Sequence, residues 1–147
     1  YKIPRRFMFN NKVMRFSGLQ SDRVFRLFKN GVAKYREDKW VHELLDFNGE
    51  FKILKHDMLH YSFSDYESYK TKTEHYGLLK AQELLKKGKH PNWFHFYIKP
   101  VYKFLTNYIF RLGFLDGKEG YVICKLNAYG VYYRYLMLEK LLRTTPK

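Results

Sequence analysis

The stretch Trp40-Val41-His42-Glu43 carries the strongest candidate for acid–base chemistry in this chain. Read as an alternating strand, it sets Glu43 on one face with Val41, Leu45 and Phe47, while Trp40, His42 and Leu44 point the other way. A carboxylate on a mainly apolar face tends toward a raised pKa, which suits proton abstraction near neutrality. The plain alternative is a glutamate at a strand edge that reaches solvent. His42 reads as a partly buried histidine beside Trp40, and no second ligand stands at a spacing that would make it a metal site. His56, His60 and His75 fall on different elements. Asp22 and Arg26 stand four apart, a spacing at which an Asp–Arg pair is more often structural than functional.

A second group of residues is defined by charge. The 147 residues hold 28 Lys and Arg against 14 Asp and Glu, a net charge of +14, which points to a polyanionic partner. Nucleic acid and an anionic membrane surface are the two candidates. Aromatic residues make up 20% of the chain, too many for a disordered basic tail. The single cysteine, Cys124, excludes an intrachain disulfide framework. From residue 93 onward Lys99, Lys103, Arg111 and Lys118 are interleaved with aromatics, followed by Lys125, Arg134, Lys140 and Arg143, as in a helix pair built to lie on a membrane surface. A transmembrane span is disfavoured, because Lys99 and Lys103 would sit near its centre at about 2.5–3.5 kcal/mol each.

Several elements must position these residues. Residues 1–62 read as short strands and hairpins, with turn pairs at Asn30-Gly31 and Asn48-Gly49. From Ser64 the hydrophobic period becomes helical. A Ser64–Glu67 capping box and Asp65 open a helix, Tyr66, Tyr69, Tyr76, Leu79 and Leu84 form its stripe, and Gly88 ends it. The apolar segment from Asn92 to Leu112 is expected to kink or divide at Pro100. A last helix is expected from about Lys118 to Arg143, with Val122, Leu126, Tyr129, Tyr133 and Leu136 on one side. Between these two, Leu115-Asp116-Gly117 forms a tight elbow, with Gly113 as helix stop and Asp116 as cap of the last helix. The fold class is therefore α+β: short antiparallel strands in 1–62, then three to four helices in 63–147.

Several pieces of the chain, taken in order, resemble a bacterial branch of the family 2 glycosyltransferases that includes lipopolysaccharide core-sugar transferases. These pieces are YKIPRRFMFNNKVMRFSG, SDRVFRLFKNG, WVHE, LHYSFSDYESYKTKTEHYGLLKA and FLTNYIFRLGFLDGKEGY. The resemblance implies the C-terminal, acceptor-side half of a GT-A-type fold. The acidic D-x-D-like motif and nucleotide-binding layer of such enzymes are not found in this sequence, and the start YKIPRR reads as the middle of a strand pattern, so a fragment of a longer polypeptide is expected. By the same resemblance, Glu43 is the general base of an inverting transfer, and His42, Asp22, Arg26 and Lys72 contact substrate. The complete enzyme is expected to use a nucleotide-sugar donor, a saccharide or glycolipid acceptor of the cell envelope and a divalent metal, Mg or Mn, with none held by this chain alone. Its expected place is the cytoplasmic face of the cell membrane, docked on anionic lipid through Lys99, Lys103, Arg111 and Lys118. A nucleic-acid-binding module is the competing reading, since cations among aromatics also suit base stacking, but no helix-turn-helix, zinc-finger or RNP-type spacing supports it.

Overall fold

A computed structural model of the protein describes residues 1–20, 22–35, 45–47 and 49–144. Strands β1 (Lys2–Phe9), β2 (Lys12–Met14), β3 (Arg23–Phe25), β4 (Ala33–Tyr35), β5 (Leu45–Phe47) and β6 (Met58–Phe63) precede helices α1 (Tyr66–Lys86), α2 (Trp93–Leu105) and α3 (Gly117–Thr144). The order of strands followed by helices makes this a small α+β fold.

The sheet is organised by β1, and it differs from the expected row of hairpins. Its first half pairs antiparallel with β3 (Ile3 opposite Val24) and its second half with β2 (Met8 opposite Val13). On its other edge β6 runs parallel, Phe7 lying opposite His60. The tight β1–β2 hairpin turns through Asn10 and Asn11, both at positive φ (48° and 59°), as a primed turn requires. Asn30-Gly31 is a turn, but the strands flanking it do not pair with each other. β3 joins β1, and β4 pairs with β5 in a separate ribbon. Nor does the run after Gly49 fold back on β5: Lys2 bonds Lys52 and Leu54 through its backbone and bridges Ile53 in parallel. The turn residues mark where the chain reverses, whereas the long strand β1 decides who pairs with whom.

The helices follow the expected spans with local corrections. Asp65, rather than Ser64, is the N-cap of α1. Its carboxylate accepts from Ser68 N at 2.8 Å while Ser68 Oγ accepts from Asp65 N, and the Ser64 hydroxyl donates to the Asp65 side chain. Those bonds hold the Asp65 carboxyl below its ordinary pKa. The face of α1 that is buried holds Tyr69, Gly77 and Ala81, whereas Tyr66 and Tyr76 stay exposed. Small residues face inward because α3 comes so close: a Cβ on Gly130 of α3 would stand 2.6 Å from the Thr73 methyl. α2 runs unbroken through Pro100, and the irregularity falls later, in a π-helical turn over Thr106–Phe110.

α3 packs against both other helices and the sheet. At its start Ile123 and Leu126 meet Phe7, Phe9, Met14 and Tyr69; further along, Tyr135 and Leu138 meet Ala81, Leu84, Leu85 and Phe96. The buried Tyr69 hydroxyl donates to Asn127 Oδ1 at 3.1 Å, and burial pushes its pKa up to about 12. Tyr129, on the stripe expected to be apolar, instead donates to Glu74 at 2.7 Å across the α1–α3 contact.

Candidate functional site: a cationic cleft held by the elbow

A cleft of about 530 Å3 opens where β1, β6, the loop before β3 and α1 meet. β1 supplies Arg5 and Phe7, β6 supplies His60 and Phe63, the loop supplies Gly18, Leu19 and Asp22, and α1 supplies Lys72 and Tyr76 one turn apart. The strand period sends Arg5 and Phe7 to the same face of β1, and the parallel register brings His60 directly beside Phe7.

Arg5 and Asp22 form the fixed corner of the cleft. Nε donates to Oδ2 at 2.8 Å and Nη2 to Oδ1 at 3.0 Å, and the Arg5 backbone N–H donates to the Asp22 carbonyl at 2.9 Å. This bidentate pair occupies the side edge of the guanidinium and leaves its outer edge, with Nη1, directed elsewhere. The Lys72 ammonium lies 4.9 Å from the Phe63 ring centroid, a cation–π contact. His60 sits edge-on to Phe7 at 6.1 Å. Burial, then the charges of Arg5, Lys72 and Arg26, push its pKa down, while Asp22 pulls the other way. Burial and these cations therefore favour the neutral form of the imidazole.

The loop that lines this cleft is fastened by the elbow between α2 and α3. Leu112, at φ 55°, ends the π turn; a 3-10 turn follows over Gly113–Asp116; and Gly117, at φ 70°, opens α3. Asp116 does not cap α3 as expected. It is buried, and its carboxylate accepts from Arg15 N (3.1 Å), Phe16 N (2.9 Å) and Ser17 Oγ (3.0 Å), about a hundred residues away in sequence. Lys12 Nζ donates to the Asp116 carbonyl at 2.6 Å and to Glu119, and the Arg111 carbonyl accepts from Gln20 at 2.8 Å. The close approach requires glycine at 120, where a Cβ would stand 2.0 Å from the Gly113 carbonyl oxygen. The elbow is a clamp on the strand-side loop, and that loop carries Gly18 and Leu19 into the cleft.

Of the residues expected to touch substrate, Asp22 and Lys72 meet in the cleft. Arg26 does not line it, and the partner of Asp22 is Arg5, although the Arg26 charge reaches His60. Glu43 and His42 lie outside the described residues. Arg5, His60 and Tyr76 were not among the expected site residues; only the order of the motifs hinted at them, since Arg5 and His60 are far apart in sequence and meet through strand pairing.

The cations of the expected membrane surface divide into two pairs. Lys99 Nζ donates to Tyr135 Oη at 2.9 Å, and half-buried Lys103 has its pKa lowered by burial and by Arg111 and Arg134, so both turn toward α3. Arg111 and Lys118 are exposed at the elbow. What α2 and the following turn present outward is aromatic: Trp93, Tyr97 and Tyr102 are each about two-thirds exposed, and Phe110 is 77% exposed. Among the described residues no helix is long and apolar enough to cross a membrane, and no group of three or more His, Cys, Asp or Glu could hold a metal ion.

No protein-family model and no solved structure matches the chain. Among curated proteins it is 30% identical over 139 residues to an uncharacterized glycosyltransferase of Rickettsia felis, 28% over 145 residues to one of Rickettsia conorii, and 29% over 139 residues to one of Rickettsia prowazekii. These alignments cover 94%, 98% and 94% of the chain but 47%, 49% and 45% of the relatives. The chain spans about half the length of the curated relatives it matches. The similarity supports a glycosyltransferase relationship.

Proposed function

We propose that this chain is the acceptor-side, C-terminal portion of a family 2-like glycosyltransferase of GT-A type, with residues 1–62 as the acceptor-side segment and 63–147 as its helical region. The observation that carries this reading is convergence: Arg5, Asp22 and Lys72 come from three of the motifs named above, widely separated in sequence, and they line one cleft. The similarity to proteins named glycosyltransferases extends over nearly the whole chain and agrees with it.

In this reading an acceptor saccharide lies in the cleft, and Glu43 removes the proton from its attacking hydroxyl. The oxygen bonds to the anomeric carbon of a nucleotide-sugar donor with inversion, and the carbon–oxygen bond to the diphosphate breaks, the electron pair leaving with the nucleotide. His42 would face the departing diphosphate. The described residues do not fit the divalent metal of such enzymes: the cleft offers only His60 and Asp22, and both oxygens of Asp22 are bonded to Arg5. No step is assigned to a metal on this chain, and a Mg or Mn ion of the complete enzyme is placed with the donor, outside these residues. The outward aromatic face of α2, with Arg111 and Lys118 beside it, would rest on an anionic membrane surface at the cytoplasmic side, where a cell-envelope glycolipid acceptor is presented. Lys99 and Lys103, two of the cations that a nucleic-acid reading would also use, turn toward α3.

The test is turnover by the complete polypeptide with a panel of nucleotide sugars and saccharide acceptors. Glu43→Gln should lower kcat by several orders of magnitude while donor binding stays nearly unchanged. Activity within a few fold of wild type would make Glu43 structural.

A further inference from the structure

We propose that segment 106–116 couples the membrane to the cleft, so that lipid contact on its outer side tightens the loop 15–20 on its inner side. This rests on the membrane docking put forward above and adds what that docking does to the site.

The outer side of the segment is apolar: Ile109, Phe110, Phe114 and Leu115 are each about half exposed or more. Charge decides what covers it. Residues 84–115 hold no Asp or Glu, and exposed Lys89, Arg111 and Lys118 stand before α2, after the π turn and at the start of α3. Aromatics set among cations complement an anionic lipid surface. The inner side grips the loop. The Arg111 carbonyl accepts from Ser17 N at 3.3 Å and from Gln20 Nε2 at 2.8 Å, and Arg111 Nη1 lies 3.5 Å from the Gly18 carbonyl oxygen. Asp116 holds Arg15, Phe16 and Ser17. Asn107 packs against Gly18, where a Cβ would stand 3.0 Å from Oδ1. The same loop carries Gly18 and Leu19 into the cleft.

Strain collects at this contact. Leu112 and Ser17 both have positive φ (55° and 62°), which a residue with a Cβ keeps only when its surroundings impose it. Thr106 Oγ1 and Asn107 Oδ1 are buried with no hydrogen-bond partner among the described residues. Opening relieves the backbone and lets water reach both oxygens, so the closed clamp is a state that a ligand can select. Lipid supplies the selection. The outward side chains share one face only while the π turn and the 3-10 turn are folded, so a membrane binds the closed clamp and not the open one. Binding to one state alone lowers the open population by the factor 1 + [L]/Kd, about tenfold at about ten times the half-saturating lipid concentration.

Hydrogen exchange of the complete polypeptide is followed by mass spectrometry on peptides covering 15–20, with and without mixed phosphatidylglycerol–phosphatidylcholine vesicles. Sedimentation of the same samples reports binding. Exchange in 15–20 should slow by about tenfold with vesicles bound. Phe110→Ser with Leu115→Ser, both on exposed positions, should leave the lipid-free exchange within about twofold of wild type and abolish the lipid effect. Asp116→Asn, altered only on the buried side, should still sediment with vesicles, but its 15–20 amides should exchange faster and respond to lipid by about twofold or less. Bound vesicles that leave 15–20 unchanged, or an Asp116→Asn response as large as that of wild type, would overturn the coupling while leaving the docking in place. If vesicles do not sediment the protein, docking and coupling fall together and the apolar face belongs to another partner. The acceptor-side reading keeps its separate test in Glu43→Gln.

Discussion

Replacing Asp116 separates two accounts of the elbow. As a clamp, the carboxylate serves the N–H groups of Arg15 and Phe16 and the Ser17 hydroxyl, in a residue only 3% exposed. Asp116→Ala leaves all three donors without that acceptor. A buried donor left unpaired costs about 1–3 kcal/mol. The hydroxyl can turn to another acceptor and the Arg15 amide, in an exposed residue, can take up water, so the Phe16 N–H carries most of the cost and the expected loss is about 1–3 kcal/mol. As a simple helix cap the same substitution would cost about 0.5–2 kcal/mol, and asparagine, an equally good cap, would cost almost nothing. The clamp predicts otherwise for Asp116→Asn, because its amide NH2 replaces one of the two accepting oxygens and confronts an N–H donor; the loss should be about 1–3 kcal/mol. Urea denaturation followed by circular dichroism reads these values as shifts in midpoint at constant slope. An asparagine variant as stable as wild type would refute the clamp.

Two further predictions follow from charge and burial. Tyr69 ionises near 12 in the folded chain against about 10 when exposed, so its folded pKa is raised and the stability it confers, complete below pH 10, should fall by about 2–3 kcal/mol as pH rises from 10 to 12; the stability gap between wild type and Tyr69→Phe should shrink by that amount over this window, and a constant gap would contradict the assignment. Trp93→Ser with Tyr102→Ser, both on exposed positions, should leave stability within about 0.5 kcal/mol yet weaken sedimentation with anionic liposomes by about tenfold or more, whereas Arg111→Glu with Lys118→Glu should weaken it mainly at low salt. Unchanged sedimentation in both variants would remove the membrane from the account.

What the sequence revealed follows the range of the interactions involved. The span of α1 is written in residues that act on their neighbours: Asp65 and Ser68 close its first turn, and Gly88 follows its last. Ser64 and Glu67 offer the more familiar capping pair one residue earlier than Asp65-x-x-Ser68, the pair that forms. The inward face of α1 is set non-locally: the approach of α3 over Gly130 explains why Gly77 and Ala81 lie inward and Tyr76 does not. Turn residues marked the reversals at Asn30-Gly31, but β3 found its partner in β1 rather than β4. The elbow was legible as an elbow, while the partners of Asp116 at 15–17 carried no local signal. The cleft repeats the lesson: Asp22 and Lys72 were found through motifs, and Arg5 and His60 only through the register of β1 with its neighbours.

The central claim, that this chain supplies the acceptor side of a sugar transferase, is tested most directly by steady-state kinetics of Lys72→Met in the complete polypeptide, with KM measured separately for acceptor and donor. The account predicts that KM for the acceptor rises tenfold or more, on the order of the 1–3 kcal/mol carried by a charge-assisted hydrogen bond, while KM for the donor changes less than twofold. A donor KM that rises while the acceptor KM holds, or two constants that both stay at wild-type values, would contradict it.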